Sequence, residues 1–251
     1  VTGNLTGYKS NGIFGQYSGS YGGTAIAKNC SFHGDITNQY SSGIFGQYSG
    51  SSSGTAIAEN CYFKGNLNIE NTSGIFGTHA GSSYGTARAK NCYFEGELNY
   101  YSCTGIFNHH AGQESGTAIA ENCYFKGNIS NSNSATIASS GIFGNYAGNN
   151  AGTAQAINCY AYGTNIIANN NTGITTSDSI TLDRIDISNC YTVDTISQQW
   201  NDNNANIKLQ NVQVITSVND TINIDTIYID YITGNGPYKL FWEPITEIIL
   251  T

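Results

Sequence analysis

Residues 42–61 of the chain read SGIFGQYSGSSSGTAIAENC, and close copies of this stretch recur along the sequence. The Gly-Ile-Phe triplet begins at residues 12, 43, 74, 105 and 141, and a degraded copy begins at residue 173. An Asn-Cys pair follows the triplet after 17 residues in the first five copies, and the commonest step between copies is 31 residues. The one longer step of 36 comes from an insertion within residues 130–134. A fixed period of this length is the signature of a repeat architecture.

Each repeat contains short stretches in which small or apolar residues alternate with polar ones. Residues 61–67 alternate in this way, which predicts a strand with one buried face. A second strand is predicted at residues 55–58, with its two Ala columns facing inward. The column between them contains Arg88 and Gln155 in other copies, so we expect it to face outward. The Gly-Ile-Phe-Gly segment is predicted as a third strand.

No copy contains apolar residues spaced three and four apart, so no helix is predicted between the strands. The strands therefore cannot belong to βαβ units. Identical short strands at a fixed period stack most simply as a single-stranded parallel β-helix, with coils about 4.8 Å apart. The hexapeptide pattern of left-handed helices is absent, which favours a right-handed solenoid. We predict an all-β chain with a repeat β-helix over residues 1–195 and irregular final coils or a β cap over residues 196–251. A small separate all-β domain is the alternative for the second region.

The beginning of the sequence already follows the repeat. Residues 3–5, Gly-Asn-Leu, match residues 34–36 and 65–67 at one-period spacing, and the chain contains no Met. We therefore expect at least one further coil to precede this stretch in a longer parent protein.

The repeat resembles the GLUG repeat family. Residues 42–50 followed by residues 58–65 match its form, Gly-aliphatic-aliphatic-Gly-Tyr-x-x-Gly and then Asn-Cys-Tyr-Ala-x-Gly, and residues 158–163 match its second half best. The resemblance covers about residues 1–195, and Phe stands where the family usually has a second aliphatic residue. It implies β-helix architecture and placement in large secreted or surface-displayed, often adhesin-like, proteins, with similar arrays in protists and large DNA viruses. It supplies no catalytic residues.

The composition excludes several classes of function. Only 10% of the residues are charged and the net charge is −8, whereas nucleic-acid binding requires a cationic surface. No apolar run approaches the ~20 residues that would span a bilayer. We therefore predict no nucleic-acid partner and no membrane span in this segment.

Two columns are predicted to be structural. The Asn residues precede an inward position and can form a hydrogen-bonded ladder in left-handed backbone. The Cys residues that follow them are predicted as buried free thiols, because in-register cysteines point the same way and Cys103 makes the total odd. The Asn column is Asn29, Asn60, Asn91, Asn122, Asn158 and Asn189; the Cys column is Cys30, Cys61, Cys92, Cys123, Cys159 and Cys190.

Charged residues of opposite sign alternate along two further columns, which predicts ion pairs between coils that set the register. The first column is Lys28, Glu59, Lys90 and Glu121; the second is Lys64, Glu95 and Lys126.

Three groups of residues are candidates for function. His79 and His110 should lie on adjacent coils and could hold a divalent metal, or they could replace Tyr as flat rings. An outward Tyr column could stack on sugar rings or bury in a protein contact, or it could simply pack between coils. Four aspartates of the sixth coil are the best acidic candidates for glycosidase chemistry, with solvated turns as the alternative. The Tyr column is Tyr62, Tyr93, Tyr124, Tyr160 and Tyr191; the aspartates are Asp178, Asp183, Asp186 and Asp194.

These observations predict a non-catalytic structural or adhesive β-helix, a segment of a larger surface, fibre or virion protein. Its expected partners are other protein chains or glycans, with self-association into a fibre or trimer, and no cofactor is expected. The expected location is extracellular, on a cell surface or on a virion surface. One alternative is a carbohydrate-active β-helix, either a hydrolase or lyase or a glycan binder. The other is an ice-binding protein, because Thr recurs in register at residues 24, 55, 86, 117 and 153.

Overall fold

The computed structural model describes residues 1–128, 139–157, 159–162, 185–188, 191–192, 207–210 and 213–214, and these contain strands, turns and bridges but no helix. In each of the first five repeats a five-residue strand is followed, after a two-residue corner, by a three-residue strand. The strands are β1 Thr24–Lys28, β2 Ser31–His33, β3 Thr55–Glu59, β4 Tyr62–Lys64, β5 Thr86–Lys90, β6 Tyr93–Glu95, β7 Thr117–Glu121, β8 Tyr124–Lys126, β9 Thr153–Ile157, β10 Tyr160–Tyr162, β11 Ile185–Ser188, β12 Tyr191–Thr192, β13 Ile207–Gln210 and β14 Gln213–Val214.

The strands form two parallel sheets that run the length of the described stack. The odd-numbered strands make one seven-stranded sheet and the even-numbered strands make the other. Pairing joins equivalent residues of successive repeats, so that Thr24 lies opposite Thr55 and Ser31 opposite Tyr62. Because each strand pairs with its own copy in the next repeat, the chain is a parallel β-solenoid, which confirms the predicted fold class.

The Gly-Ile-Phe segment is not the strand that the sequence predicts. It contributes isolated bridges, such as that between Phe45 and Phe76. The neighbouring side chains of Ile44 and Phe45 are both fully buried. A regular strand sends adjacent side chains to opposite faces, so this segment must depart from strand geometry for both side chains to enter the core.

The interior is filled by columns of identical side chains. Both Ala columns face inward as predicted, with Ala56 and Ala58 fully buried. Two Phe columns stack ring upon ring, with centroids 4.9 Å apart between Phe45 and Phe76 and 5.1 Å apart between Phe63 and Phe94. These distances follow the spacing between coils, so each buried ring packs against its own copy above and below.

One corner of each coil requires glycine. Gly96 has φ of 152°, a backbone conformation that side chains disfavour, and a Cβ atom there would lie 1.9 Å from the carbonyl oxygen of Gly65 in the preceding coil. Successive coils can lie this close at the corner only because Gly65 and Gly96 carry no side chains.

The described sheets continue beyond residue 195. Ile207 pairs with Ile185 although it lies only 22 residues further along the chain, and Gln213 pairs with Tyr191. β13 and β14 therefore form a further, shorter coil of the same two sheets, the last that the described residues contain. The remaining residues of the predicted cap lie outside the described residues.

Candidate functional site

The outward face of the odd-numbered strands carries ion pairs between coils. Lys28 Nζ lies 3.0 Å from the Glu59 carboxylate, and Lys90 Nζ lies 3.6 Å from that of Glu121. On the other sheet the Glu95 carboxylate lies 3.0 Å from Lys64 Nζ and 3.9 Å from Lys126 Nζ. The predicted register-setting pairs are therefore present, although exposed pairs of this kind contribute only about 0–1 kcal/mol each.

Arg88 adds a contact that the sequence analysis missed. It replaces Ile of the neighbouring copies, and its guanidinium binds the Glu121 carboxylate of the next coil, together with Lys90. Burial opposes ionisation of Glu121, but the hydrogen bond and charge of Arg88 outweigh this effect and lower the pKa of the carboxyl group. The signal was the single charged residue among the first four members of this column, the other three of which are Ile.

The Tyr column is less exposed than the sequence predicts. Tyr93 stacks between Tyr62 and Tyr124 with centroids 4.7 and 5.1 Å away, and only 2% of its surface is exposed. Tyr62 and Tyr124 are half-buried. Lys64 also lies over the ring of Tyr93, with its Nζ atom 5.8 Å from the centroid. The ring faces are thus occupied by neighbouring rings, and the column offers ring edges and hydroxyl groups to a partner. The backbones of the last two members, Tyr160 and Tyr191, pair in register.

His79 and His110 lie on adjacent coils, as predicted, and form the centre of a continuous column of stacked rings. Their centroids are 4.7 Å apart with an angle of 15° between the ring planes. Tyr48 stacks on His79 and Tyr146 on His110, at 4.7 and 4.9 Å. The histidines therefore occupy the same place as the tyrosines of other coils.

This stacking is unsuited to shared metal binding. The lone pair of an imidazole nitrogen lies in the ring plane, and metal–nitrogen bonds are about 2.0–2.1 Å long. An ion held equally by both rings would have to lie outside each plane by half of the 4.7 Å separation. Within the part of the chain that the structure describes, no group of three or more His, Cys, Asp or Glu side chains could hold a metal ion.

Burial keeps these imidazoles neutral. Burial, together with the smaller effect of the neighbouring His110, lowers the pKa of His79 to about 4. Burial likewise lowers the pKa of His110, against the opposing effect of a 2.7 Å hydrogen bond between its Nδ1 atom and Gln113. Protonation of either ring in acid would place a positive charge in this buried stack, which disfavours the folded chain.

The Asn column forms the amide ladder that the sequence predicts. Asn60 donates to Asn29 at 3.1 Å, Asn91 to Asn60 at 3.0 Å and Asn122 to Asn91 at 3.1 Å. Each of these four residues has positive φ, between 51° and 53°. Every bond runs in the same direction, from the later coil to the earlier one. Asn158 and Asn189 lie outside the described residues.

The cysteines that follow are free thiols in the described part of the chain. Cys61 Sγ donates to the carbonyl oxygen of Ala27 in the preceding coil at 3.4 Å and to that of Glu59 at 3.3 Å. Cys92, Cys123 and Cys159 repeat this pattern. The thiols of this column are therefore small, buried hydrogen-bond donors between coils. Cys190 lies outside the described residues.

Coil four contains a polar pair that sequence reasoning did not single out. Ser102 Oγ lies 2.5 Å from His109 Nε2, but its one proton is donated to Asn71, so it accepts from the imidazole and His109 is not its base. Ser102 is fully buried and His109 is 5% exposed. Because no substrate can reach a buried hydroxyl, we assign the pair to packing of the corner.

The predicted acidic cluster cannot be assembled from the described residues. Asp186 lies in β11, and its backbone pairs with Gln155 and Lys208. Asp178, Asp183 and Asp194 lie outside the described residues.

Comparison with known proteins gives no relative for this arrangement. No family model, curated protein or solved structure matches the chain. The described residues also contain no helix of the length and apolarity that crossing a bilayer would need.

Proposed function

We propose that this chain is a non-catalytic structural or adhesive β-helix, a segment of a larger surface, fibre or virion protein. The proposal rests on one observation: the polar side chains of each column form hydrogen bonds or ion pairs with one another. Side chains that could do chemistry bind their own copies or partners in adjacent coils, as the Asn ladder and the charge columns do. A stack of this kind is rigid and extended, and it presents regular rows of side chains along its length.

Support against catalysis comes from the carboxylates. Glu59, Glu95 and Glu121 each face a cation of an adjacent coil. Paired carboxylates on an exposed surface are poor acids or bases for glycoside cleavage, which needs two carboxyl groups on either side of one bond.

The test of the scaffold is a paired assay on the full chain. Incubation with a panel of plant, bacterial and animal polysaccharides should release no reducing ends and no unsaturated products. An antiserum against the chain should label intact source cells or particles and should detect a polypeptide larger than these 251 residues. Turnover of any polysaccharide, or labelling only after permeabilisation, would contradict the proposal.

Glycan binding is the second candidate, and exposed aromatic rings favour it. Tyr8, Tyr21 and Tyr84 are 60%, 75% and 74% exposed, so much of each ring is available to a sugar ring, whereas Tyr17 stacks on both Tyr48 and Tyr21. A glycan array should then show binding that Tyr21→Ala reduces and Tyr93→Phe leaves unchanged, because Tyr93 is buried within its stack. Equal binding by the two variants would remove this candidate.

A further inference from the structure

A row of cysteine side chains runs along one inner corner of the solenoid. Five described cysteines lie at the same position of successive coils, between an odd-numbered strand and the even-numbered strand that follows it. From the second coil onward these residues are at most 1% exposed, so the row belongs to the core. This cysteine row is Cys30, Cys61, Cys92, Cys123 and Cys159.

The sulfur atoms of the row are evenly spaced, because every thiol has the same surroundings. In coils two to five each Sγ atom lies 3.3–3.5 Å from two carbonyl oxygens, one two residues earlier and one in the preceding coil. Successive sulfurs are therefore displaced by the spacing between coils. The adjacent column of rings gives this spacing as 4.7 Å between Tyr62 and Tyr93 and 5.1 Å between Tyr93 and Tyr124.

This spacing matches that of two thiolates with one metal ion between them. Metal–thiolate bonds in zinc sites are about 2.3 Å long, and two bonds of that length in line span about 4.6 Å. Zinc itself requires four ligands, and the described residues contain no group of even three His, Cys, Asp or Glu side chains that could hold a metal. A soft ion of single charge accepts two ligands in line, and thiolates select Cu(I) among the biological metals.

We propose that the cysteine row binds Cu(I), with one ion between the sulfur atoms of each pair of adjacent coils. Each ion forms two Cu–S bonds in line, and each thiol releases its proton to solvent when its sulfur first binds an ion. The copper remains Cu(I) and the sulfur remains a thiolate, so no oxidant or reductant is consumed. The thiol–carbonyl hydrogen bonds that are lost are weak ones, because S–H is a poor donor.

The row limits the charge that copper binding buries. One ion between two thiolates leaves a single net negative charge in the core, which is unfavourable. Each further ion recruits one more thiol, which loses its proton, so the added positive and negative charges cancel. Five sulfurs with four ions therefore carry the same single negative charge as two sulfurs with one ion. Filling of the whole row is thus favoured over filling of isolated gaps.

Protons compete with copper for these sulfur atoms. The neighbouring thiol of Cys92, together with burial, raises the pKa of Cys61, and burial with the neighbouring thiols raises that of Cys123. Because copper must displace these protons, its affinity should rise with pH. This inference depends on the interior of the stack and not on the proposed role as a surface scaffold.

The test loads the full chain with Cu(I) and counts the ions that remain bound. The chain is unfolded, reduced, refolded without oxygen in excess Cu(I) and dialysed against bathocuproine disulfonate, a Cu(I) chelator. Refolding gives the ion access to positions that are buried in the folded chain. Elemental analysis should find at least four copper ions per chain, one for each gap of the row, and X-ray absorption should show sulfur ligands alone.

Two variants locate the copper within the chain. Cys92→Ser removes a sulfur that borders two gaps and should lower the count by two ions. Cys103→Ser is the matched control, because Cys103 is equally buried but its copies in the adjacent coils are Thr72 and Ser139, which carry hydroxyl groups. The control should bind as much copper as the native chain. Circular dichroism and thermal melting without copper verify that both variants fold, and Cys92→Ala replaces Cys92→Ser if the serine prevents folding.

Three results would overturn the proposal. They are removal of all copper by the chelator, equal losses of copper in the Cys92 and Cys103 variants, and nitrogen or oxygen ligands in the absorption spectrum. The last result would place the copper on surface groups such as histidine. None of these results would alter the polysaccharide and surface-labelling experiments that test the scaffold.

Discussion

Substitution of Asn91 tests whether the amide ladder stabilises the solenoid. Asn91 is 6% exposed, donates to Asn60 at 3.0 Å, accepts from Asn122 at 3.1 Å and has φ of 52°. Asn91→Ala removes both hydrogen bonds and replaces Asn, which tolerates left-handed backbone, by a residue that tolerates it less well. Each lost bond costs about 1 kcal/mol, and the left-handed conformation about 1 kcal/mol more. We expect a loss of about 3 kcal/mol in the free energy of unfolding.

Two further variants separate these contributions. Asn91→Gly loses the same hydrogen bonds but tolerates positive φ, so it should cost about 2 kcal/mol. Asn29→Ala, at the exposed end of the ladder, loses one bond that water can replace and should cost about 1 kcal/mol. Urea unfolding followed by circular dichroism measures all three. The reasoning is refuted if Asn91→Gly is less stable than Asn91→Ala, or if Asn91→Ala lies within about 0.5 kcal/mol of the native chain.

Three further perturbations probe other columns. Gly96→Ala should lower the free energy of unfolding by about 2 kcal/mol or more. Gly3 has similar φ and no atom within 4 Å of an added Cβ, so Gly3→Ala should cost only about 1 kcal/mol. Equal urea midpoints for the two variants would contradict the proposed close approach. In the unfolded chain His79 is protonated below its ordinary pKa of 6.5, whereas in the folded chain it is protonated only near pH 4. The free energy of unfolding should therefore fall as the pH drops between these values. His79→Tyr should make the melting temperature depend less on pH over this range. Ellman's reagent should react slowly with the native chain, in which burial raises the pKa of Cys103 to about 12. It should titrate all seven thiols in denaturant without reductant, and titration of fewer than seven would show disulfides.

Sequence periodicity predicts most of this fold because every coil repeats the same pattern of buried and outward residues. Alternation along residues 55–58 and 61–67 places Ala56 and Phe63 inside, where the structure has them. In-register stacking then follows, and with it the Asn ladder and the charge pairs. No such argument requires knowledge of contacts between distant parts of the chain, since each coil meets only its neighbours.

The errors arise where position along a strand does not determine the environment. Ile44 and Phe45 are adjacent yet both buried, because the backbone bends between the sheets instead of extending. Tyr93 has the outward direction that alternation predicts, but its two ring neighbours and Lys64 cover it. Outward direction is a property of the backbone, whereas exposure depends on the size of the side chains in the adjacent coils. A period of two predicts the first and contains no information about the second.

The same distinction applies to residues that depart from the repeat. A residue that is identical to its copies contacts them in the adjacent coils, so its polar groups are already paired within the stack. Arg88, Ser102 and His109 differ from their copies, yet each is bound by a partner within one or two coils. Within the described part of the chain, departures from the repeat are therefore satisfied by contacts with neighbouring residues, as the repeated columns are.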